Sequence, residues 1–77
     1  MPVSAARWEW GARLRQLAAL CDAEMAAADK ADAEPNLGER ALAQQRVQEI
    51  RGRRQRAMVL EHEAYERLQR EEKACPI

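Results

Sequence analysis

Along the first third of the chain, Trp10, Leu14, Leu17, Cys21, Met25 and Ala28 recur at steps of three and four residues. That is the spacing of one face of an α-helix. A second stripe, Ala43, Val47, Ile50, Ala57, Leu60, Ala64 and Leu68, has a helical spacing too. Between Ile50 and Ala57 it is interrupted by Arg51-Gly52-Arg53-Arg54-Gln55-Arg56, with Arg54 on the apolar seam. Gly52 within that run costs a helix about 1 kcal/mol relative to Ala. Trp8 and Leu20 sit off the first stripe, and Trp8 and Trp10 are about 200° apart at 100° per residue. The two rings therefore cannot face one neighbour, which implies contacts on two sides of the helix.

These patterns predict an all-α chain forming a single helical unit. The first helix starts after Pro2–Ser4, with the Ser4 hydroxyl capping an orphan backbone N–H, and spans about 5–33. Glu34-Pro35-Asn36-Leu37-Gly38 forms a turn over 34–38, because Pro35 disfavours helix at Glu34 and Asn and Gly accept turn geometry. The second helix spans about 39–73, roughly 50 Å at 1.5 Å per residue. A short tail, 74–77, follows. No internal repeat is visible.

Composition bears on how the two helices are held. Sixteen residues are Ala, Leu, Ile and Val together number twelve of 77, and Phe is absent. That share of large apolar residues lies below the level at which chains fold readily alone. Ala, Glu, Arg, Gln and Leu are strong helix formers, whereas strand formers are scarce, so no sheet is expected. A short link permits an antiparallel hairpin. Its Ala-rich seams, however, would bury few large side chains, each worth about 1.5–3 kcal/mol. Opposing them is about 1–2 kcal/mol of backbone entropy per ordered residue. The expectation is thus two helices bent or laid end to end, extended on a partner rather than built on an independent globular core. An Arg on the seam beside a Gly points the same way.

The 13 basic and 13 acidic side chains cancel, but not locally. Residues 1–38 carry −2, residues 39–60 carry +4 and residues 61–77 carry −2. The middle block reads either as a solvated face laced with pairs such as Glu49–Arg53 at i,i+4, or as a contact for an acidic surface. Zero net charge and a pI near 6.6 argue against nucleic acid. An acidic protein fits better, because flanking carboxylates can meet its basic groups and fix register.

Chemistry is sparse. Cys21 and Cys75 lack metal-ligand spacing and read as free thiols in a reducing compartment. His62 lies between Glu61 and Glu63, which point to other helical faces. Catalytic Cys–His chemistry would need a thiol delivered to His62 with an orienting third group. No Gly-rich phosphate loop or paired His is present, and neither an enzyme activity nor a cofactor or metal is expected. No apolar run reaches the roughly 20 residues of a membrane span, and the N-terminus lacks the apolar region of a secretory signal. Arg7, Arg13 and Arg15 on an Ala-rich helix have a mitochondrial-presequence character, against which Glu9 and the two Trp residues count.

The segment from Gln48 to Ala74 resembles small ciliary microtubule inner proteins. The residues that carry the likeness are Arg53-Arg54-Gln55-Arg56, Val59-Leu60, Glu61-His62-Glu63-Ala64-Tyr65 and Leu68, with Arg7-Trp8 as a further echo. Glu72-Lys73 departs from the pattern, standing where a Gly would end the helix. The resemblance implies a structural protein of the cilium or flagellum axoneme, bound to tubulin and neighbouring inner proteins in the doublet microtubule. On that reading Trp8, Trp10, Leu14 and Leu17 anchor the first helix in apolar grooves. Arg51, Arg53, Arg54 and Arg56 meet acidic tubulin, and Leu60, Tyr65 and Leu68 form a second anchor. Rival readings are a small subunit or assembly factor of another large complex, for example mitochondrial, a coiled-coil homodimer, and a helical nucleic-acid binder. Arg54 on the seam and the lack of sustained a/d leucines count against the homodimer.

Overall fold

A computed structural model describes residues 4–74 as two helices, α1 (Ala5–Ala33) and α2 (Leu37–Ala74), with no strand among them. Both helices form where propensity and spacing predict. Ser4 caps α1 in extended conformation, its hydroxyl accepting the Arg7 N–H at 3.2 Å. Lys30 sits in the last turn of α1 and Glu39 in the first turn of α2, each the charge that the helix dipole favours there. The expected tail from 75 onward, with Cys75, lies outside the described residues.

The link is shorter than expected, Glu34 to Asn36, and is fastened by its own side chains. Asn36 Oδ1 accepts the Glu39 N–H at 3.1 Å, the N-cap bond that starts α2 two residues early. The Glu34 carboxylate accepts the Asn36 N–H at 3.2 Å, and the Arg40 guanidinium donates to the Glu34 carbonyl at 2.9 Å. Gly38 falls inside the first turn of α2, and no residue among those described has a positive φ. The turn thus uses Pro35 and Asn36, not the conformational freedom of Gly38.

The helices fold back on each other, which corrects the end-to-end expectation. Arg7 pairs with Glu72 at 3.0 Å, Glu9 with Arg67 at 2.7 Å and Glu24 with Arg51 at 2.8 Å, so α1 and α2 run antiparallel along their length. The protein measures 61 × 20 × 12 Å between Cα extremes, with a radius of gyration of 17.6 Å. A compact domain of this length would have about 11.5 Å. It is a rod.

On α2 the covered positions include Arg40, Ala43, Val47, Ile50, Arg54, Ala57, Glu61, Ala64 and Leu68, alternating steps of three and four. On α1 they include Trp10, Arg13, Leu17, Leu20, Glu24, Ala27 and Ala31, at the same alternation. A seam of period 3.5 drifts from a straight 3.6-residue stripe, so residues predicted at its edges fall away. Met25 is exposed and Leu14 and Leu60 lie at the margin, while Leu20 and Ala31 come in. Among the described residues, only Ala31, Val47, Ala57, Ala64 and Leu68 are buried. The alanines leave room for the two backbones to approach, but little apolar area is removed from water. The expected scarcity of core is therefore a property of the hairpin too.

Candidate interaction surface

Folding back commits several side chains that the sequence leaves free for a partner. Glu24 sits on the α1 seam with its side chain 15% exposed, between Arg51 and Arg54 of α2. Each guanidinium donates through Nε, Arg51 to one carboxylate oxygen and Arg54 to the other. Hydrogen bonding from Arg51 is the largest influence holding the Glu24 carboxyl below its ordinary value. Arg54 adds to it, and partial burial opposes it. Arg54 on the seam is thereby explained within the chain, its charge met by a carboxylate thirty residues away. Such a residue was expected to mark a contact with another protein; here it joins the two helices.

Trp10 is likewise committed. Its indole N–H donates to Glu61 at 2.9 Å, and its ring centroid lies 5.5 Å from that of Tyr65 at a tilt of 48°. Tilted pairs at this separation are favourable for aromatic rings. Leu68 is buried at 5% exposure and Leu17 is half-buried. Trp10, Leu17, Arg51, Arg54 and Leu68 thus serve the hairpin first. Trp8, by contrast, is 68% exposed, so the two tryptophans do point to different surroundings. Leu14, Arg53, Arg56, Leu60 and Tyr65 also remain accessible.

Arg53 and Arg56 form no ion pair among the described residues, so the Glu49–Arg53 pair that a solvated, ion-paired face would offer is not made. They line a shallow groove of about 370 Å³ with Gln16, Leu20, Ala57 and Leu60. Arg13 of α1 donates to the side chain of Gln16, one of the groove's lining residues, at 3.3 Å. Sequence reasoning missed the α1 half of this surface, although a signal for it exists. Residues 10–21 contain no Asp or Glu, and neither do residues 50–60. Antiparallel pairing overlaps these two stretches with a stagger, Trp10 standing against Glu61 and Tyr65 and Glu24 against Arg51 and Arg54, so that the six arginines form one belt whose acid-free overlap is the groove itself.

The acidic residues collect at the ends of the belt. On the turn side Asp22 and Glu24 stand at its edge, Glu24 between Arg51 and Arg54, and on the open side lie Glu9, Glu61 and Glu63. The stretch free of carboxylates on both helices is about 9 Å long, for about six residues of helix. His62 stands apart, its Nε2 3.0 Å from Glu66 one turn on, and Cys21 is half-covered and unpaired. No cluster of three metal-ligating side chains occurs among the described residues, and no helix there is long and apolar enough to cross a membrane. Compared with protein-family models, curated proteins and solved structures, the chain matches none.

Proposed function

We propose that the protein is a non-enzymatic structural protein that binds tubulin in the lumen of axonemal doublet microtubules and stabilises the lattice there. The observation that carries this reading is an arginine belt, only two of whose six members meet a carboxylate, on a rod with almost no core. Arg13, Arg15, Arg53 and Arg56 have no carboxylate partner among the described residues. An acidic protein surface supplies the missing countercharge and steers the encounter. Exposed Trp8 provides the kind of large amphipathic side chain that anchors interfaces. The choice of tubulin among acidic partners comes from the resemblance of Gln48–Ala74 to small microtubule inner proteins.

The test is whether the full chain co-sediments with microtubules polymerised in its presence, and whether the bound fraction falls as salt rises from 50 to 300 mM. Electrostatic contacts of exposed charges weaken over that range because the screening length shrinks to a few ångströms. In ciliated cells, proximity labelling from the tagged chain is expected to recover tubulin and neighbouring inner proteins. No co-sedimentation, or recovery of mitochondrial subunits instead, refutes the reading.

A further inference from the structure

The groove on the belt has two chemistries in one place. Leu20, Ala57 and Leu60 provide apolar surface, while Arg53 and Arg56 provide positive charge. A ligand that satisfied only the charge would leave that apolar surface wet. The shape matters too: a channel between two antiparallel helices is where a third helix seats its ridge of side chains. We propose that this groove is the docking site for an acidic amphipathic helix of the partner, laid beside α1 and α2 as a third helix. The inference rests on the partner being an acidic protein.

The belt sets the length of the contact. About 9 Å is nearly two turns of helix, enough to present two apolar residues four apart toward Leu20 and Leu60. Carboxylates flanking that pair then reach Arg53 and Arg56. Arg13, bound to Gln16 at the opposite margin, stands ready for another. Acidic residues at both ends of the belt bring the attraction to a stop, which suits a short helix and not a continuous phosphate backbone. A second copy of this chain is a poor occupant. Its acidic segment, 61–72, has Ala64 and Leu68 buried in its own seam and lacks a free apolar pair to offer.

The experiment titrates the full chain against fluorescein-labelled synthetic peptides, read by fluorescence anisotropy at 0.15 M salt. The probe is a helix-forming peptide with Leu at i and i+4 and Glu on both flanks of that pair. Comparison ligands are its Lys-for-Glu version, polyglutamate of equal charge and a single-stranded DNA oligonucleotide. The amphipathic Glu peptide is expected to bind at least tenfold tighter than each of them. Arg53→Gln with Arg56→Gln should weaken it at least tenfold, Leu60→Ser should weaken it too, and Met25→Ser on an exposed face should not. Circular dichroism of each variant checks that the helices persist. Where the arginine pair disturbs them, Leu60→Ser and a photo-crosslinker at Gln16 carry the test. Equal binding of polyglutamate or DNA overturns the inference, as does a self-associated chain dispersed by the arginine changes. Indifference of the peptide to the groove variants overturns it as well. Peptide binding without tubulin co-sedimentation would sink the tubulin assignment alone. Tubulin binding that survives every groove variant would sink the docking site alone.

Discussion

Leu68 is the largest side chain buried in the hairpin, at 5% exposure, and its truncation tests whether the helix–helix seam is a source of stability. Leu68→Ala removes three carbons, and at about 0.8 kcal/mol per methylene the transfer loss is about 2.4 kcal/mol. A residual cavity adds to this, but the position is near the open end of the rod, where the helices can close in. The total therefore belongs toward the lower end of the 2–5 kcal/mol range for such truncations, about 2.5 kcal/mol. That is nearly two powers of ten in the folding equilibrium. Leu42→Ala is the matched control, because Leu42 is 67% exposed and its change should stay within about 0.5 kcal/mol. The assay is urea denaturation followed by circular dichroism at 222 nm. With a denaturant slope of about 1 kcal/mol per molar for a small protein, the Leu68 variant should lose about 2.5 M in midpoint. If the wild type melts below that midpoint, the variant should show no cooperative transition at all. Equal effects of Leu68→Ala and Leu42→Ala would refute the packing argument, because burial would then have no bearing on the cost.

Three further outcomes follow from named contacts. Gly52→Ala should stabilise the hairpin by about 0.5–1 kcal/mol, since an added Cβ meets only the Arg56 guanidinium at 3.7 Å; a lower melting temperature would contradict this. Asn36→Ala should cost about 1 kcal/mol by removing the cap on the Glu39 N–H, while Asn36→Asp should be tolerated, both read by thermal melting. The Glu24 carboxyl titrates below its ordinary 4.5, so its contribution is present above that pH and is lost as pH falls through the lower folded value. Wild type should therefore exceed Glu24→Gln in stability at neutral pH, and the two should converge in acid; a gap constant from pH 7 to pH 3 would be inconsistent with the clamp.

The helices were legible because their causes are local. Ser4, Pro35 and Asn36 act within a few residues of themselves, and helix propensity is summed along the chain. The pairing was not legible, because its determinants act at a distance. Arg54 read as an intrusion on an apolar stripe, since nothing within a helical turn answers its charge; Glu24 does so only after the chain reverses. Leu14, Met25 and Leu60 read as members of an apolar face because a straight helical stripe passes through them. The observed seam keeps a seven-residue repeat and leaves them at or beyond its edge.

By itself, then, the sequence determined two long helices, one break between them, two tryptophans on different sides and a shortage of large apolar side chains. Those features depend on local dihedral preferences and on amounts, and neither needs a partner segment to be known. The tertiary structure decided which charges are spent and which remain. Charge counted along the chain assigned −2 to the first 38 residues. Folded antiparallel, the acid-free stretch 10–21 of that half overlaps part of the acid-free stretch 50–60 of the other, and the basic belt arises from that overlap. Electrostatic potential adds through space, so a property of two distant segments became one surface only when the helices met.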